Sequence, residues 1–178
     1  MSNFDIILIL VGSVMVALAG YRRLIGSLFL LVGAYVASLS AALLYQQAAY
    51  GLEAIGKGAH WFEGVVFIAI YFLIFAIFFI ISLLAYADTS LPKLHFLDPL
   101  LGAAVGVALA AISMSMLWIG FNFMVSEYWE PYASYANLQI FHAGARLGPL
   151  MRQVFAFYLN LLSPFFLGSG LPPVFLNW

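Results

Sequence analysis

The chain has 178 residues, a formal net charge of −1 and no cysteine; 66% of its residues are hydrophobic and 7% charged. This excludes disulfides, iron–sulfur clusters and thiolate metal sites, and six scattered Lys and Arg form no basic surface for nucleic acid. Apolar surface on this scale belongs in lipid, where a helical span takes about 20 apolar residues.

Four uncharged runs stand out: Ile6 to Tyr21, Leu24 to Leu52, Gly64 to Ala87 and Pro99 to Ser126. They predict an all-α membrane protein with four transmembrane helices in residues 1–126. Residues 127–178 are expected to form an interfacial amphipathic segment and a proline-rich tail. Ala17-Leu18-Ala19 has the small residues of a signal-peptide cleavage site. The segment ahead of the run carries Asp5 and no Lys or Arg, however, so it reads as a first transmembrane helix.

Asp5 can cap that helix, taking up backbone N–H groups at the positive end of the macrodipole. The helix is expected to reach Gly20. The short break Gly20-Tyr21-Arg22-Arg23 then leads to a second helix ending near Tyr45, so the pair forms an antiparallel hairpin. Gln46 to Glu63 reads as a loop, punctuated by Gly51, Gly56 and Gly58. The third span, Val65 to Tyr86, is crowded with Ile, Phe and Leu and can face lipid over much of its circumference. The polar run Asp88 to Lys93 ends it. Asp98 is the expected N-cap of the fourth span, with Pro99 in its first turn, where a missing N–H costs nothing.

Beyond Glu127, aromatic residues cluster around Pro131. Gln139 to Leu162 then mixes apolar residues with Arg146, Arg152, Gln153 and Asn160. Arg152 would be expensive inside a fifth span, so this stretch is expected to lie in the interface; a crossing from Gln153 onward is the alternative. The tail from Gly168, with Pro172 and Pro173, reads as an extended arm ending at Trp178. Arg22, Arg23 and Lys93 outweigh Lys57 near span ends, which places the Arg22-Arg23 turn in the cytoplasm and both termini outside.

The spans hold no ionisable residue in their middle, unlike proton relays and ion-coupled carriers. Small residues recur at four-residue spacing: Gly33, Ala37 and Ala41 in the second span, and Gly102, Gly106 and Ala110 in the fourth. That spacing lets helix backbones approach closely, within this bundle or against a partner's helix. His60 and Glu63 with Glu53, or Glu127 with Glu130, are weak metal-ligand sets, and His95 and His142 are isolated. Ser169 has no evident base, and no nucleophile elbow or phosphate loop is present. The residues therefore point to no catalytic site, cofactor or metal.

Two segments resemble the colicin V production (CvpA) family of bacterial inner-membrane proteins. The first is Asp5 to Ala41, where Asp5, Gly20, Arg22 and Arg23 take the places of the family's leading Asp and Gly-x-Arg-Gly turn, with Leu24 where Gly is usual. The second, Leu97-Asp98-Pro99-Leu100-Leu101-Gly102-Ala103-Ala104-Val105-Gly106, is similar to a Leu-Asp-Arg-x-x-Gly-x-x-x-Gly segment, with Pro99 replacing the Arg. The resemblance implies a non-enzymatic, multi-pass protein of the cytoplasmic (inner) membrane, supporting toxin production or envelope function. Its partners would be membrane lipids and other membrane helices. It carries over no catalytic residue. The competing expectation is an accessory structural subunit of a larger photosynthetic or respiratory complex.

Overall fold

The computed structural model describes residues 2–52, 60–85, 97–168 and 170–176, and these contain helices and no strand. They form α1 (Asn3–Gly51), α2 (His60–Ala85), α3 (Leu97–Met124), α4 (Tyr132–Ala143) and α5 (Gly148–Leu162). Two short 3₁₀ turns, Ser163–Phe166 and Pro173–Phe175, follow. Among the described residues, α1, α2 and α3 are long and apolar enough to cross a membrane. The chain is an all-α membrane protein.

α1 is two limbs, not one rod. Its backbone leaves helical geometry at Arg23, and the contacts on either side show that the chain doubles back there. Phe4, at its start, meets Phe121 near the end of α3, with ring centroids 4.9 Å apart. Tyr45, near its finish, meets Phe123 at 5.9 Å. Between them, Gly20 lies against Pro99 and Ala103 at the opposite end of α3. Limb 3–22 therefore runs antiparallel to α3, and limb 24–51 runs parallel to it. The hairpin expected from the four-residue break is present.

The buried stripe of the first limb, Phe4, Leu8, Gly12, Met15, Ala19 and Arg22, recurs every three or four residues, so one face meets the bundle. α2 packs beside the second limb. It has the most apolar window, with mean hydropathy 3.1, yet only 28% of that window is buried. Leu73 and Leu84 stand 63% and 79% exposed, as suits a face turned to lipid or to another membrane helix.

Three stretches depart from the sequence-based reading. α1 continues to Gly51 rather than ending near Tyr45, because Tyr45 and Ala49 share a buried face one turn apart. α2 begins at His60, with Glu63 in its first turn, where a carboxylate favours the helix N-terminus. The tail is not an arm. Val174 and Phe175 are fully buried, Phe175 edges onto Phe67, Phe155 and Phe166, and the Val174 amide donates to the Tyr45 hydroxyl at 3.3 Å.

α5 lies against α3, with Met151, Phe155, Tyr158 and Leu162 buried along one stripe. Tyr158 donates to the Ser38 Oγ at 3.0 Å and Tyr35 to the Leu161 carbonyl at 2.8 Å, so it is tied to the second limb of α1. Expectations resting on Glu53, Gly56, Lys57, Gly58, the end of the third span at Tyr86, the Asp88 to Lys93 run, His95, Ser169 and Trp178 lie outside the described residues.

Candidate functional site: two buried carboxylates and the Arg22-Arg23 reversal

A helix that reverses leaves amides and carbonyls at the break without intrahelical partners, and where they are buried each needs another. Asp98 supplies one. It is 1% exposed, and its carboxylate accepts the Leu24 N–H at 3.0 Å. Leu24 opens the second limb, so the carboxylate expected to cap the start of α3 holds an amide of α1, across the bundle.

Arg22 supplies the second closure. Its Nε donates to the Ser82 Oγ at 3.1 Å, and its Nη2 donates to the Ser82 carbonyl. Ser82 lies near the end of α2, where helix carbonyls lack intrahelical donors and a cation is favourable. Arg22 is buried; this residue of the turn, read from the sequence as a topology signal, joins α1 to α2.

Arg23 carries the reversal itself, with φ 58° and ψ −170°. L side chains rarely occupy this region, and holding one there costs about 1–3 kcal/mol. The resemblance places the unusual residue at Leu24, but the conformation that favours glycine falls on Arg23.

Two glycines of α3 seat the turn. A Cβ on Gly102 would lie 2.7 Å from the Ala19 carbonyl oxygen and 2.7 Å from the Arg23 carbonyl carbon. On Gly106 it would lie 2.8 Å from the Ala19 Cβ and 2.9 Å from the Val16 Cα. Ala110 continues this face toward Gly12. In the second limb, Gly33 is in tight contact with Phe78 of α2, and Ala37 and Ala41 are fully buried.

The opposite end of the first limb has its own carboxylate clasp. Asp5 is 1% exposed and completes a capping box with Ser2. It also accepts the Arg146 amide at 3.2 Å and the Leu147 amide at 3.0 Å. The start of α1 thus holds the entry to α5. Sequence reasoning expected both acids as helix caps; the capping box bears this out for Asp5, Asp98 falls inside the first turn of α3 rather than ahead of it, and the distant partners of both were missed.

His60 donates to or accepts from the Ser126 Oγ at 3.1 Å, and its Nδ1 stands 3.8 Å from Glu127. The Ser126 hydroxyl is committed to the Phe123 carbonyl at 2.8 Å. This joins the start of α2 to the end of α3, and Glu63 and Glu130 take no part in it. No group of three metal-ligating residues occurs among the described residues. His142 is half-buried between the Phe4 and Trp118 rings. Burial pushes its pKa below the usual value, reinforced by the Arg152 charge and opposed by a hydrogen bond to the Trp118 backbone.

The clasped reversal falls on the segments that carry the family resemblance, and a comparison with family models decides the matter: the model described as Colicin V production protein matches residues 4–156. The chain belongs to the colicin V production family. The matched range takes in the three long helices and the first part of α5. No curated protein and no solved structure matches the chain. In this member of the colicin V production family, Asp5, Arg22 and Asp98 act as internal joints.

Proposed function

We propose that this protein is a non-enzymatic component of the bacterial inner membrane that supports toxin production, secretion or envelope function through helix association. The family match over residues 4–156 is the observation that carries this reading. The buried polar groups are in keeping with it: Asp98, Arg22 and Asp5 are spent on backbone and hydroxyl partners inside the chain. In the proposed topology both limbs of α1, α2 and α3 make four crossings, with the Arg22-Arg23 turn in the cytoplasm.

A hydrophobic tail uncovered by its own chain would favour the alternative, an accessory subunit of a larger complex. Val174 and Phe175 are buried by the chain's own aromatic residues, so the tail no longer favours it. The test is deletion of the gene in its host, with peptide-toxin export and detergent sensitivity as readouts. Complementation by the wild-type chain, and failure by Gly102→Leu, is the expected result. A deletion strain with unchanged export and envelope resistance would overturn the proposal.

A further inference from the structure

α5 runs down the side of the bundle, not across its end. Its entry is held where α1 starts: Asp5 accepts the Leu147 amide at 3.0 Å, and Gly148 and Arg152 lie against Trp118. Next, Met151 meets Ser115, and Val154 shares a groove with Ala111. At its finish Leu161 shares that groove with Ala108, and its carbonyl accepts the Tyr35 hydroxyl at 2.8 Å. At 1.5 Å per residue, Ala108 stands about 24 Å from the Met124 end of α3 and about 16 Å from the Leu97 end. Tyr35 divides the second limb of α1 in the same proportion. The end of α5 is therefore level with the middle of the long helices.

The chain then turns and climbs back. Phe165, in the turn Ser163–Phe166, is still level with Tyr35, at a ring separation of 6.0 Å. Val174 has returned to Tyr45, which meets Phe123 near the Met124 end of α3. The burial of α3 matches this half-depth reach. Every residue from Ser115 to Gly120 is buried, whereas Leu100 and Val107, toward the other end, are 58% and 61% exposed.

The chemistry of the segment suits hydrocarbon. From Gln153 to Trp178 the sequence has no Asp, Glu, Lys, Arg or His, whereas an interfacial helix carries basic residues along its polar face. Arg152 sits at the entry, where a long side chain can reach the headgroups. Carbonyls freed at the end of α5 find hydroxyl donors within the chain: Ser163 Oγ donates to the Asn160 carbonyl at 3.1 Å, and Tyr35 to that of Leu161. Pro164 brings no N–H that would need a partner away from water.

With α3 and the second limb of α1 as membrane crossings, we infer that α5 and the tail form a re-entrant hairpin. α5 enters the bilayer from the Asp5 side, where an interfacial lie was expected. The chain turns near mid-depth at Ser163–Phe166, and the tail returns to the side it came from.

The test places single cysteines in the full, cysteine-free chain, reconstituted in lipid vesicles. Leu150, Phe157, Phe165 and Leu176 are 50%, 71%, 62% and 61% exposed, so each position can carry a nitroxide. Power-saturation EPR with oxygen and a nickel chelate reads the depth. Phe165→Cys should lie about 10–15 Å deeper than Leu150→Cys and Leu176→Cys, the axial distance between the levels of Tyr35 and Tyr45, with Phe157→Cys between. Should Phe165→Cys misfold, Leu167→Cys, 87% exposed just past the turn, reads the tip instead. Leu150→Cys and Leu176→Cys should react with an impermeant maleimide from one and the same side. A uniform shallow depth at all positions would overturn the inference in favour of an interfacial helix. Labelling of Leu150→Cys and Leu176→Cys from opposite sides would overturn it in favour of a fifth crossing.

Discussion

Gly102→Ala adds a single methyl group at the place where the reversal rests on α3. The new Cβ would stand 2.7 Å from the Ala19 carbonyl oxygen, 2.7 Å from the Arg23 carbonyl carbon and 2.9 Å from the Arg23 Cα. All three atoms are backbone, so no side-chain rotation relieves the overlap. The backbone they belong to is held by the Leu24–Asp98 and Arg22–Ser82 bonds. Overpacking of this kind costs about 1–3 kcal/mol, and a rigid neighbour favours the upper end. Alanine recovers up to about 1 kcal/mol of helix propensity over glycine, leaving a net loss of about 2 kcal/mol. At this chain length that lowers the melting temperature by about 4–8 °C. Gly12→Ala is the control, because its Cβ meets the flexible Met114 Sδ at 2.6 Å, which can swing aside. Gly168→Ala meets nothing within 4 Å and should be silent. A thermal melt of the detergent-solubilised variants, with binding of a thiol-independent dye as readout, gives the order. Gly102→Ala melting at or above wild type, or level with Gly12→Ala, would refute the reasoning.

Arg23→Gly should be stabilising. It relieves a conformation costing about 1–3 kcal/mol against about 0.5–1 kcal/mol of added chain freedom, so the same melt should rise by a few degrees; a fall would show that the Arg23 side chain does more than turn the chain. His142 predicts a pH dependence. Its folded pKa lies below the ordinary 6.5, so its contribution is fully present above 6.5. As pH falls from there toward the folded value, the unfolded chain takes up the proton first and stability declines. His142→Phe should flatten the melt between about pH 7.5 and 5.5 by removing that titration; an unchanged slope would place the titration elsewhere. The four-crossing topology is tested by single cysteines in this cysteine-free chain. Tyr21→Cys and Tyr128→Cys, at exposed positions, should react with an impermeant maleimide from opposite sides, and labelling of both from one side would contradict the proposed topology.

The long apolar helices were legible because lipid imposes a length and a composition: the runs from Leu24, Gly64 and Pro99 exceed the length of a span, about 20 residues, and the run from Ile6 falls slightly short. The hairpin was legible because Gly20 to Arg23 is too short to do anything but reverse the chain. Helix ends were less so: Gln46 and Gln47 look like loop residues, yet Tyr45 and Ala49 carry the buried face past them. Polar partnerships were out of reach for a different reason. Asp98 meets Leu24, Asp5 meets Leu147 and Tyr158 meets Ser38 across separations of 74, 142 and 120 residues, and a backbone amide has no sequence signature. α5 shows its buried stripe in the spacing of Met151, Phe155, Tyr158 and Leu162, but not the face of α3 that receives it. The tail was misjudged because two prolines suggest extension, while Val174 and Phe175 are the residues that decide where it goes.

The most direct test of a stand-alone role in the membrane is its native oligomeric company. Mild-detergent extraction of the host membrane, native electrophoresis and mass spectrometry of the band containing this chain would reveal it. A small band of the chain alone or with itself is the expected result. Co-migration with a large complex at fixed stoichiometry would contradict it and make the chain an accessory subunit.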